Sequence, residues 1–158
     1  MWGGIGLRGK KIIRRVLILA SIILVLYVIY VIKNITLYKL EAEIKDEFDN
    51  VDCLEVWDSG PHCTVVVFVD KDSDFEDIEP VFISMMLKLH EDDNFNYLRE
   101  RHSRNATGEL AFLQVSFYEE GTDDNRMFEF ISYKYEDFQI WKLGGEASVT
   151  YTVSDYKK

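Results

Sequence analysis

Proline is almost missing from this sequence, which has only Pro61 and Pro80 in 158 residues. That scarcity excludes a Pro-rich spacer or a polyproline recognition tail. Cysteine is equally scarce, with Cys53 and Cys63 alone, so the chain is no disulfide scaffold. The only histidines are His62, His90 and His102. Together with the two thiols they show no spacing of a structural zinc site, and no metal is expected. Bases are outnumbered, 18 against 28 acids, for a net charge of −10. An acidic surface argues against nucleic acid as a partner and against docking of that surface onto anionic lipid.

Catalytic signatures are missing as well. No Ser/His/Asp or Cys/His grouping has a recognisable nucleophile setting. Adjacent carboxylates such as Glu119 and Glu120, or Asp92 and Asp93, would point to opposite faces of a strand, so neither pair converges on one substrate. The expectation is therefore no catalytic residue, no cofactor and no enzyme. Gly4, Gly6 and Gly9 match G-x-G-x-x-G letter for letter. That motif binds phosphate only between a strand and a helix start, and no strand can fit in the three residues before it.

Charge is absent from one stretch altogether. Residues 16–32 read VLILASIILVLYVIYVI, about 25 Å of helix at ~1.5 Å per residue, near the lower limit for crossing a bilayer core. Ahead of it stand Arg8, Lys10, Lys11, Arg14 and Arg15 without one acid. Behind it lie all 28 acids and the other 13 bases, a net −15. Such a bias predicts an uncleaved, single-pass signal anchor in the cell membrane, with a basic cytoplasmic tail at 1–15 and the remainder extracytoplasmic. A cleaved signal peptide has similar parts, but the run is longer than the usual apolar core and ends in Tyr30, Val31, Ile32 and Lys33 rather than small residues.

Residues 33–49 are expected to form a helical stalk. Leu37, Leu40, Ile44 and Phe48 share one helical face, and Glu41 and Lys45 form an i,i+4 pair. This stripe either packs on the outer domain's sheet or pairs two copies through anchor and stalk; it is too short to argue for a coiled coil by itself.

From about residue 50 the period becomes that of strands. Segments 51–58 and 62–70 flank Ser59-Gly60-Pro61, a hairpin whose second strand is apolar on both faces. Ser73 and Glu76 resemble a capping box, and Pro80 belongs near a helix start, which places a helix at about 78–91 with Ile78, Phe82, Met85 and Leu89 inward. A shorter helical piece is expected near 95–101. Residues 109–119 alternate with Leu113, Val115 and Phe117 on one face, residues 120–125 form a turn, and 126–135 return as the partner strand. A last strand pair is expected from 140–143 and 147–153 around Gly144-Gly145. The fold class read from this order is α+β. An outer domain at 50–158 carries a mostly antiparallel sheet in β-β-α-β-β order, with a helix on one face.

A tight turn at Gly60-Pro61 sets Cys53 opposite a residue near 68, about 16 Å from Cys63 at ~3.3 Å per residue. A disulfide needs Cα atoms within about 7 Å, so two buried thiols are favoured. Asp70, Asp72, Asp74 and Glu76 open like a calcium loop, but Phe75 stands where Gly is required and Val81 where the bidentate Glu belongs. A weak cation site at this run or at Asp123, Asp124 and Asn125 is the residual reading.

Aromatic residues are plentiful: ten Phe, nine Tyr and three Trp. Phe112 and Tyr118 face away from Leu113, Val115 and Phe117, so the 112–133 hairpin is apolar on both faces. Either the chain covers both sides, the favoured expectation, or it offers an aromatic surface to a partner. Trp57, Phe112, Tyr118 and Trp141 are the candidate contacts. Asn34 and Asn105 open glycosylation sequons, meaningful only in a eukaryotic secretory pathway. The expected partners are the lipid bilayer through 16–32 and one protein of the envelope or cell surface. A sensor for divalent cations or cell-wall glycans is the alternative.

Overall fold

The computed structural model describes residues 7–121, 126–144 and 149–157. Helix α1 runs Leu7–Glu47. Within it, Ile12–Ile32 is the one stretch among the described residues long and apolar enough to cross a membrane. The chain divides into two compact units, Met1–Ile35 and Thr36–Lys158. In the first, Ser21 Oγ donates to the Leu17 carbonyl at 2.9 Å, so the run's one serine is satisfied inside its own helix.

The second unit is α+β. Strands β1 (Val51–Ser59) and β2 (His62–Val69) form the expected hairpin, closed by Gly60 at φ +55°. Two helices follow, α2 (Phe75–Leu89) and α3 (Asp92–Asn105). Strands β3 (Phe112–Glu119), β4 (Arg126–Tyr133), β5 (Ile140–Leu143) and β6 (Thr150–Thr152) complete the sheet, with a 3₁₀ turn at Lys134–Glu136 before β5. A short helix, α4 (Val153–Tyr156), ends the described chain. The six strands lie in sequence order in one sheet.

That sheet is mixed rather than simply built of hairpins: β2 and β3 run parallel, and the other four pairings are antiparallel. The reason is the connection. Two helices between β2 and β3 carry the chain back to the starting end of the sheet, as any parallel pairing requires.

Helix α2 starts three residues earlier than Pro80 suggested. Asp74, not Ser73, is its cap: the carboxylate accepts from the amides of Glu76 (2.9 Å) and Asp77 (3.1 Å), while Asp77 reaches back to the Asp74 amide (3.1 Å). Asp74 and Asp77 thus satisfy orphan amides and complement the helix dipole together, and the reciprocal cap outweighs Pro80 as a boundary signal. Helix α3 is longer than 95–101 because Asp92 and Asp93 favour its start and His102 and Arg104 its end.

One face of the sheet carries the core. Val65, Val67, Leu113, Val115, Phe117 and Phe130 meet Ile78, Phe82 and Met85 of α2. Phe82 stacks on Phe130 with ring centres 3.6 Å apart and meets Trp141 and Tyr151 edge-on. Leu37, Leu40 and Ile44 of α1 are buried in the same cluster. Lys88 pairs with Glu43 at 3.0 Å, and Ser84 Oγ donates to Glu47 at 2.8 Å. From Thr36 onward, α1 is therefore part of the globular unit.

Candidate functional site

The opposite face of the sheet is built from the alternate residues of the same strands. Strand register puts Trp57 beside Thr64 and Gln114, and Phe68 beside Tyr118. Val66 and Phe68 are buried yet lie outside the hydrophobic core cluster that Val65, Val67 and Val69 join. The ring contacts of Trp57 and Phe68 with Tyr118, and the side-chain hydrogen bonds of Trp57 and Gln114, stay within the face. No helix among the described residues covers it, so the favoured expectation of cover by the protein itself is corrected. The physical reason is that α1, α2 and α3 are all spent on one side, where the larger aliphatic surface lies.

Trp57 and Tyr118 meet with ring centres 5.6 Å apart, and Phe68 lies 6.1 Å from Tyr118. Trp57 Nε1 donates to Glu55 Oε2 at 2.8 Å, and the residue is 38% exposed. At the other end of β3, Phe112 stacks on His62 at 4.6 Å and meets Tyr133 edge-on at 5.1 Å, with Lys142 Nζ above the Tyr133 ring. Phe112 and Tyr118 are six residues apart, about 20 Å along the strand at ~3.3 Å per residue. Between the two groups runs a polar strip in which Gln114 donates to Ser116 (2.7 Å) and Glu129 (2.8 Å), and Arg126 pairs with Glu129. Two aromatic clusters around a hydrogen-bonded strip form an amphipathic surface of the kind that interfaces use.

The sheet edge beside it is closed. The outward backbone groups of β1 are taken by side chains: Lys45 donates to the Asp52 carbonyl, Glu41 accepts from the Leu54 amide, and Arg101 Nη2 donates to the Val56 carbonyl at 2.8 Å. Burial pushes the Glu41 carboxyl above its ordinary value, while Lys45 draws it down. A partner strand cannot add at this edge without displacing those three groups, so the face, not the edge, is the accessible surface.

Of the four candidate contacts, Trp57, Phe112 and Tyr118 lie on the open face. Trp141 is corrected. It is fully buried between Phe82 and His90, because its register partner Tyr151 also points to the core side. Cys53 pairs with Phe68 and Cys63 with Asp58, on opposite faces and five rungs apart, and both are free thiols. Burial pushes Cys53 up to about 11 and Cys63 to about 12.

A charged node missed by sequence reasoning sits under α3. Asp58, almost wholly buried, accepts from Arg101 Nε (3.1 Å) and Asn105 Nδ2 (3.1 Å), and its other oxygen lies 3.3 Å from His102 Nδ1. More than 40 residues separate Asp58 from these partners, so no local spacing signalled them. The Asn105 amide is engaged in this node, which is a structural use of the second sequon.

Of the run Asp70, Asp72, Asp74 and Glu76, all but Asp74 border a cavity of about 550 Å³ shared with Glu47, Asp49 and Asp77. Asp74 serves as the α2 cap, and no three metal-ligating side chains converge among the described residues. Asp123, Asp124 and Asn125, like Gly4 and Gly6, lie outside the described residues. No known family, curated protein or solved structure matches this chain.

Proposed function

We propose that this is a single-pass membrane protein with its N-terminus in the cytoplasm, whose outer domain docks one envelope or cell-surface protein on the open face of its sheet. The observation that carries the reading is the partly exposed aromatic pair Trp57 and Tyr118, backed by buried Phe68, on a sheet whose other face is packed. Trp and Tyr are enriched among the few residues that carry most of the binding energy of protein interfaces. The net −15 of the chain after residue 32 favours a partner with a flat apolar patch ringed by basic residues. Anchoring through residues 16–32 confines the domain to the bilayer and raises its effective concentration toward a partner in the same membrane. Because Leu37, Leu40 and Ile44 are buried within their own unit, pairing of two copies is left to the apolar helix.

The test is in-membrane crosslinking of the C-terminally tagged full chain, followed by mass spectrometry. One reproducible partner, lost in the Trp57→Ala/Tyr118→Ala double variant and retained when exposed Lys71 is changed to Ala, supports the reading. No partner above background, or one indifferent to Trp57 and Tyr118, overturns it. Tag accessibility on intact cells tests the orientation separately.

A further inference from the structure

A second cavity, of about 460 Å³, lies among α3, the Gly108–Leu110 segment and the turn before β5. Its size falls in the usual range for small-molecule sites, roughly 300–1,000 Å³. Three features of its wall point to one kind of occupant.

The first is His102, which lines the cavity and is 1% exposed. Its Nδ1 lies 3.3 Å from the Asp58 carboxylate. No protein group hydrogen-bonds Nε2, although it is buried. A buried ring nitrogen without a partner is rare and costly, and calls for a group such as a ligand hydroxyl, which can donate or accept.

The second is the apolar wall of Phe95, Leu110 and Phe138, the two rings 5.5 Å apart between centres. Asp137 and Phe138 are consecutive left-handed residues, at φ 49° and 57°. For a bulky residue that conformation is strained, and such strain persists only where the surroundings impose it. Here His90 does so, its Nε2 lying 2.6 Å from the Phe138 carbonyl while its Nδ1 lies 2.7 Å from that of Met86.

The third is the rim. Glu109, whose side chain is 84% exposed, is held by Lys134 and feels Arg99. Its carboxyl is drawn below the ordinary value by Lys134 first. A carboxylate therefore already sits at Lys134, within the field of Arg99, on a side chain exposed enough to yield its place. Asp137 on the same rim disfavours a second negative charge on the occupant.

From these we infer that the cavity binds a small cyclic monocarboxylate bearing a hydroxyl: the ring against Phe95 and Phe138, the hydroxyl hydrogen-bonded to His102 Nε2, and the carboxylate replacing Glu109 at Lys134 and Arg99. This is a site apart from the open sheet face and independent of the docking reading.

The test uses the full chain in lipid nanodiscs with histidine ring carbons labelled for NMR. Three compounds are titrated: 4-hydroxybenzoate, 4-hydroxybenzyl alcohol, which lacks the carboxylate, and benzoate, which lacks the hydroxyl. With 4-hydroxybenzoate the His102 signal should move saturably, with a Kd on the order of 1 mM, while His62 stays still. Each of the other two compounds should bind about tenfold more weakly, as should 4-hydroxybenzoate to the Lys134→Met variant. No saturable His102 shift by roughly ten times that concentration overturns the inference. So does an equal shift with the alcohol.

Discussion

Trp57 on β1 and Tyr118 on β3 touch with ring centres 5.6 Å apart although β2 runs between them. Register places Val66 at the midpoint of that diagonal, paired with Glu55 on one side and Ser116 on the other. Val66 is fully buried on a face that no described helix covers. The two rings therefore do for Val66 what a helix does for Val65 and Val67, and leave their own outer surfaces to solvent.

If the rings seal Val66 jointly, they are energetically coupled. A double-mutant cycle with Trp57→Ala and Tyr118→Ala should return a coupling of about 0.5–1.5 kcal/mol, measured by urea unfolding followed by circular dichroism. Additive losses would show that the pair is only adjacent.

Asp58 depends on Arg101. Removing the guanidinium leaves a buried carboxylate with Asn105 and His102 and frees the Val56 carbonyl at the sheet edge. Arg101→Ala is expected to cost about 3 kcal/mol, the low end for breaking a buried ion pair because the Arg101 side chain is 24% exposed. Arg101→Lys should fall between, since an ammonium cannot serve both acceptors with one fork. Equal stability of Arg101→Ala and wild type would refute the role.

The stalk belongs to the fold. Ile44 is fully buried in the core cluster, and Ile44→Ala should destabilise the globular unit by about 2–5 kcal/mol. Thermal unfolding of the full chain in detergent reads this out. A change confined to helix content, with the sheet's transition unmoved, would contradict it.

Both thiols favour the neutral form in the folded state, Cys53 up to about 11 and Cys63 to about 12 through burial first. Unfolded thiols ionise at about pH 9. Above that pH the unfolded chain releases protons that the folded chain retains, so stability falls as pH rises from about 9 through 12 and is unaffected by these groups below. Alkylation by iodoacetamide at pH 8 should accordingly be slow when folded and fast in urea. Prompt alkylation of Cys63 in the folded chain would contradict its burial.

Tyr151 links the last strand to α2: its hydroxyl donates to Glu79 Oε1 at 2.7 Å, and burial and that bond push its pKa above the ordinary value, keeping the phenol protonated. Tyr151→Phe should lose about 1 kcal/mol while keeping the ring contacts with Phe82 and Phe130. Unchanged denaturation midpoints would mean the bond contributes nothing net.

Local order in the chain was enough for much of this. Composition alone set apart the uncharged 16–32 run, the spacing of Leu37, Leu40 and Ile44 marked the helical face that is buried, and the Gly60-Pro61 turn implied the register that keeps Cys53 from Cys63. Side-chain periods of 2 and 3.6 are properties of the backbone, so sequence spacing carries them directly. Tertiary structure alone decided which face the helices cover, because alternation separates two faces without saying which is covered. It put Trp141 inside and left Trp57, Phe112 and Tyr118 outside, turned β3 parallel to β2, and brought His102 and Arg101 to Asp58. Those outcomes depend on contacts between residues tens of positions apart, which burial of the larger apolar surface selects and no local pattern encodes.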